Sequence, residues 1–220
     1  MSGTTQMAEI KAVVLVHGAF ADGSCYAKVI PLLNAKGLKA IAVQNPWSSL
    51  TDNVEAVKRT LSQQEAPVRL VGHSWGGAMI TEAGNNPQVA GLVYVAAGAP
   101  NSDESFNGWW KDYPPMPDVA EIKPYGKDGY VAFTQIGLRQ DFAQDLPKEE
   151  ADVAYAVQGL LTARCFGDKI STSWYIVGSE DRTIPVTMLF FLNGAKSDVR
   201  LSWREKYHAS DSHCELAHKE

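Results

Sequence analysis

Ser74 sits at the centre of Gly72-His73-Ser74-Trp75-Gly76, between the apolar run Val68-Arg69-Leu70-Val71 and a helix-competent segment from Ala78 to Glu82. A strand, a sharp turn and a helix in that order force the central residue of the turn into a strained backbone conformation. They also leave almost no room for neighbouring side chains, which accounts for glycine at 72 and 76. The hydroxyl is thereby thrust out above the sheet edge. The helix N-terminus beneath it adds partial positive charge and free N–H groups, so negative charge developing nearby is stabilised. This is the setting of a nucleophile, and the flanking strand and helix distinguish it from a chance Gly/Ser turn.

A serine nucleophile needs N–H donors for an oxyanion, a base for its proton and an acid behind that base. Lys11 to Val16 is a Val-rich run suited to a strand buried on both faces of a parallel sheet, and it ends at His17-Gly18-Ala19-Phe20-Ala21-Asp22-Gly23-Ser24. A glycine-punctuated loop at the C-terminal end of such a strand is where α/β proteins place ligands, and its backbone N–H groups are candidates for an oxyanion hole. Ser173 to Val177 reads as a later strand that stops at Gly178-Ser179-Glu180-Asp181-Arg182-Thr183-Ile184-Pro185. An acidic residue just beyond a buried strand can accept a histidine Nδ1–H; Asp181 is the first candidate and Glu180 the second, with structural capping the alternative role for Asp181.

The elements that must hold these groups follow a regular alternation. Tyr26 to Lys36 reads as a helix with Val29, Ile30, Leu32 and Leu33 inward, closed by Gly37. Leu38 to Val43 is a second strand, followed by the loop Asn45-Pro46-Trp47-Ser48-Ser49, and Thr51-Asp52-Asn53-Val54 opens a helix with Val54, Val57 and Leu61 apolar. After the Ser74 strand and its helix, Val89 to Ala97 is a fourth apolar strand. Four strands alternating with three helices imply an α/β fold with a mostly parallel central sheet, helices on both faces and right-handed crossovers.

From Gly98 to about Lys169 that regularity fails. Five prolines (100, 114, 115, 117 and 124) and the aromatics Phe106, Trp109, Trp110 and Tyr113 mark a segment too long for a connecting loop and too aromatic for a solvated one. It reads as a largely helical cap over the strand ends, with helical stretches between Asp141 and Leu161 and a helix start at Leu146-Pro147-Lys148-Glu149-Glu150. The division is therefore 1–97 and 170–220 for the core and 98–169 for the cap.

Composition narrows the partners. A chain of 220 residues, 45% hydrophobic and 20% charged, is an ordinary globular protein, and a formal net charge of -5 argues against nucleic acid and anionic membranes, which call for a basic face. Cys25, Cys165 and Cys214 show neither metal nor disulfide spacing, so a reduced, cytoplasmic setting is expected. Met1 to Glu9 is polar and lacks the apolar core of a secretory signal, and no run approaches a membrane span.

VLVHGAFADGS, VGHSWGGAMITEAGNNP, GLVYVAA and WYIVGSEDRTIP, in that order and spacing, resemble the small serine esterases of the α/β-hydrolase fold, in particular the bacterial branch similar to plant methylesterases and hydroxynitrile lyases. The resemblance extends from about residue 11 to 194 and is weaker inside the cap. It implies Ser74 as nucleophile, Asp181 as triad acid, and the backbone N–H groups of Ala19 and Trp75 as oxyanion hole. It also implies a pocket lined by Phe20, Trp47, Trp109 and Trp110, with cap packing an equal alternative for the last two. His17 braces its loop and His73 points away from the nucleophile. No metal or cofactor is needed, and the implied substrate is a small, largely apolar ester.

The triad order requires a histidine after Asp181, and the chain offers His208, His213 and His218. His208 has the spacing nearest to the family's; His213 follows Ser212 in a step that also resembles the family's. Ser202 to Glu220 contains almost no aliphatic residues and departs from the family's closing amphipathic helix. Two alternatives stay open: a lyase using the same Ser-His pair as a base, disfavoured because Ala19 and Phe20 stand where that branch carries a threonine, and a hydrolase-fold binding protein without a working base.

Overall fold

The computed structural model describes residues 10–65, 67–111 and 120–171. Its centre is a four-stranded, wholly parallel sheet in the order β2-β1-β3-β4, made of β1 (Ala12–Val16), β2 (Lys39–Ala42), β3 (Val68–His73) and β4 (Val89–Val95). All five residues of β1 are buried, as a strand covered on both faces requires. The expected strand at Ser173–Val177 lies outside the described residues.

Helices α1 (Val29–Ala35), α2 (Leu50–Ser62) and α3 (Gly76–Ala83) connect these strands. Val14 and Val16 point into a core shared with Val54, Val57, Met79 and Ile80 of α2 and α3, whereas Val13 and Leu15 meet Ile30 and Leu33 of α1 on the opposite face. At β1 the sheet is thus covered on both sides, whereas Val93 and Val95 of β4 are exposed. Strand order reverses between β1 and β3, and the C-terminal ends of these two adjacent strands carry the Gly18 loop and Ser74. That is the switch point at which open α/β sheets bind ligands.

Two readings of the helices need correction. The segment Tyr26 to Lys36 begins as a 3-10 turn (Gly23–Tyr26) and only then becomes α1, and Val29 and Leu32, expected inward, are exposed. A helix of seven residues buries a single stripe, and here Ile30 and Leu33 occupy it. Helix α2 starts at Leu50, one residue before Thr51, because Ser49 is the cap: its hydroxyl accepts the Asp52 N–H at 3.0 Å.

After β4 the chain passes through α4 (Phe106–Trp110), β5 (Ile122–Tyr125), β6 (Tyr130–Phe133), α5 (Gln135–Gly137), a π-helical turn (Leu138–Phe142), α6 (Lys148–Val157) and β7 (Leu161–Thr162). The helical start at Pro147 is as expected: Pro147 caps α6. The antiparallel sheet β5-β6-β7 was not anticipated. Residues 103–105 and 169–170 run side by side. The Asp103 N–H donates to the Ile170 carbonyl at 2.8 Å, the Ile170 N–H donates to the Glu104 carbonyl at 2.9 Å, and Ser105 and Lys169 form an antiparallel bridge. No helix among the described residues is long and apolar enough to cross a membrane.

Candidate active site

Ser74 occupies the left-handed region at φ 52, a conformation costly for any residue with a Cβ. Backbone hydrogen bonds hold it there. Its N–H donates to Val95 at 3.3 Å, and its carbonyl accepts from Gly77 and Gly98, each at 3.1 Å. Gly76 lets α3 start directly against β1, since a Cβ there would stand 2.5 Å from the Val16 carbonyl oxygen. Ser74 itself is only half-buried.

Strain recurs at the ends of all four parallel strands. Phe20 after β1 (φ 57), Trp47 after β2 (φ 60), Ser74 after β3 and Ala96 after β4 (φ 42) are non-glycine residues with positive φ. Such conformations cluster at sites because surrounding contacts must over-determine them.

The two expected oxyanion donors lie beside this turn. Ala19 and Trp75 are both buried, and among the described residues neither N–H donates to a backbone acceptor. Trp75 caps α3, which directs that helix's N-terminus at the same point.

His17 is fully buried and committed to structure. Its Nδ1 donates to the Gly18 carbonyl at 3.1 Å, while its Nε2 accepts the backbone N–H of Asn45 at 3.4 Å and lies 3.3 Å from the Asn45 amide. Since the Gly18 oxygen can only accept and the Asn45 backbone can only donate, the ring is the neutral Nδ1–H tautomer. Burial is the main cause holding its pKa below the usual histidine value. Its lone pair is occupied, so it braces the loop, as the sequence implied. His73 lies on the face of β3 that Val71 shares, with its Nδ1 close to Gly18, and burial lowers its pKa as well. Asp181, Glu180, His208, His213 and His218 lie outside the described residues.

Phe20 and Trp47 come together with Trp75 and Phe106 and with three rings that the sequence does not single out, Phe133, Phe142 and Phe166. Phe20 meets Phe133 at 4.7 Å between ring centroids, Phe133 meets Phe142 at 5.0 Å, Trp47 meets Trp75 at 5.5 Å, and Phe166 meets Trp75 at 5.7 Å and Phe106 at 5.6 Å. These rings join Phe106, Phe133, Phe142 and Phe166 to the loops after β1, β2 and β3. Gln158 fixes Phe133 in that group: its carbonyl accepts the Phe133 N–H at 2.9 Å and its amide donates to the Phe133 carbonyl at 3.2 Å. Trp109 and Trp110 end α4.

A parallel sheet with a strained serine at its switch point defines a class, and comparison with known proteins agrees. The model of the alpha/beta hydrolase family matches residues 13–215, and the chain belongs to that family. Over 98 residues it is 35% identical to a pyrethroid hydrolase of Sphingobium wenxiniae, covering 39% of this chain and 35% of that relative's length. A crystal structure of a pyrethroid hydrolase from Sphingobium faniae superposes with a TM-score of 0.68 at 22% identity, covering 86% of this chain and 87% of the other. A methylesterase from Arabidopsis gives 0.59 at 22% identity, with 83% and 84% covered. At these identities the two structures share the fold.

Proposed function

We propose that the protein is a serine esterase that cleaves carboxylic esters of small, largely apolar substrates through an acyl-enzyme. The observation that carries this is Ser74, half-buried and held at φ 52 beside Ala19 and Trp75, buried residues whose N–H groups donate to no backbone acceptor among the described residues. The hydroxyl attacks the ester carbonyl as a histidine takes its proton, and Asp181 orients and stabilises the imidazolium. His17 is occupied, and the triad order Ser…Asp…His of the resemblance assigns the base to His208 or His213. The N–H groups of Ala19 and Trp75 receive the oxyanion, each such donor contributing roughly 3 kcal/mol to lowering the barrier. The tetrahedral intermediate collapses, the alcohol leaves with the proton from the histidine, and water releases the acid by the same steps.

In this reading residues 98–169 form a cap over the core, an assignment favoured by the antiparallel bridge of Ser105 with Lys169 and the backbone hydrogen bonds of Asp103 and Glu104 with Ile170. Phe20, Trp47, Trp109 and Trp110 line the substrate's approach. The apolar, aromatic surroundings favour uncharged esters over charged ones. Cys25 and Cys165 are both free thiols, which fits a reducing cytoplasm.

The test is a p-nitrophenyl ester panel on the wild type and on Ser74→Ala, Asp181→Asn, His208→Ala and His213→Ala. Ser74→Ala is expected to abolish turnover, and one of the two histidine changes to do the same. Equal turnover by the wild type and Ser74→Ala would refute the proposal.

A further inference from the structure

Trp47 ties the cap to both loops that carry the oxyanion donors. Its N–H donates to the Asn53 side-chain carbonyl at 2.9 Å. Its own carbonyl accepts the Thr162 N–H at 3.1 Å and the Cys165 thiol at 3.2 Å. The Thr162 hydroxyl donates to the next carbonyl, Ser48, at 2.9 Å and lies 3.2 Å from the Cys165 sulfur. Cys165 is buried, and desolvation raises its pKa, so the thiol keeps its proton at neutral pH and remains a donor. Two cap residues therefore hold a left-handed peptide of the core in place.

The indole of Trp47 is clamped as tightly as its backbone. A Cβ at Gly159 would stand 2.1 Å from the indole nitrogen, so the cap chain crosses directly over the ring. On its other side the ring meets His17 edge-on at 5.2 Å and Trp75 at 5.5 Å. His17 hydrogen-bonds Gly18, the residue before one donor, and Trp75 carries the other. A side chain packed against both donor-bearing loops transmits any shift of the cap to the place where the oxyanion forms.

We propose that Trp47 is a positioning residue through which docking of the cap by Thr162 and Cys165 sets the two oxyanion donors. The inference rests on the esterase reading above. Its consequence is a split in kinetics. Donors displaced by a fraction of an ångström stabilise the transition state less while leaving ground-state binding nearly intact, so loss of the latch lowers kcat and spares KM. A latch that only packs the cap would change thermal stability, or KM through the pocket walls, and leave kcat alone.

The experiment compares Thr162→Val, Cys165→Ala, Cys165→Ser and Trp47→Phe with the wild type. For each, kcat and KM are measured on a p-nitrophenyl ester, together with the inhibition constant of a trifluoromethyl ketone, which mimics the oxyanion, and the thermal midpoint. We expect Cys165→Ala and Thr162→Val to lose about 10-fold or more in kcat, with KM within about 2-fold, and Trp47→Phe to lose as much in kcat while KM also changes, because its ring lines the substrate's approach. Ketone affinity should fall in parallel, and Cys165→Ser, which restores a donor to the Trp47 carbonyl, should recover both. Trp47→Phe carries the largest packing risk; the Cys165 pair removes and restores one hydrogen bond in an otherwise similar volume. Folded Cys165→Ala and Thr162→Val proteins with wild-type kcat and ketone affinity would overturn the inference alone, provided the wild type is labelled at Ser74 by a fluorophosphonate. A wild type that is not labelled would overturn the esterase reading and this inference together.

Discussion

A Cβ on Gly18 would lie 2.7 Å from the Cβ of Ser74 and 3.2 Å from Nδ1 of His73, so the loop after β1 meets the turn after β3 at a point that only glycine leaves room for. That contact places the N–H of Ala19, one residue on, next to the nucleophile.

Gly18→Ala should therefore push the loop away from Ser74 and with it the Ala19 donor. We expect kcat on a p-nitrophenyl ester to fall by a factor on the order of 100, the cost of one lost oxyanion donor. The protein should remain folded by circular dichroism. Activity within a factor of two of wild type would show that the loop does not set the donor.

Gly77→Ala addresses the scaffold. Its Cβ would stand 2.1 Å from the Gly98 carbonyl oxygen, a backbone atom that cannot step aside cheaply. Urea denaturation should record a loss of about 2 kcal/mol or more. Gly167→Ala is the control: nothing lies within 4 Å of its Cβ, and its φ is not positive, so stability should be unchanged or slightly raised.

The buried, neutral His17 predicts a pH dependence of stability. Its folded-state pKa lies below the ordinary 6.5, so between those values the unfolded chain binds a proton that the folded chain does not. The contribution is complete above pH 6.5 and is lost as pH falls toward the lowered value, with a slope of at most about 1.4 kcal/mol per pH unit for one proton. In urea denaturation from pH 7 to 5, His17→Asn should be less stable throughout but show a shallower decline. Parallel declines would mean that His17 is protonated in the native state.

Much of this architecture is written in local pattern. The apolar runs Lys11–Val16 and Val89–Ala97 have the composition of strands buried in a parallel sheet, and Gly72 and Gly76 around Ser74 announce a turn that only small residues allow. The small antiparallel sheet was hidden because Pro124 sits within β5, where it reads as a loop residue, and because Leu161 and Thr162 make too short a strand to show alternation. Phe133 and Phe166 are isolated aromatics in sequence; their position opposite Phe20 and Trp75 comes from tertiary folding alone. The docking of Thr162 on Trp47 spans 115 positions and leaves no local signature.

The central claim is that the Ser74 hydroxyl is an activated nucleophile. Incubating the purified wild type and Ser74→Ala with a fluorophosphonate, then locating the adduct by mass spectrometry of the peptides, tests it most directly. We predict a single adduct on Ser74 in the wild type and none in the variant; a wild type that stays unlabelled, or labels elsewhere, would contradict the account.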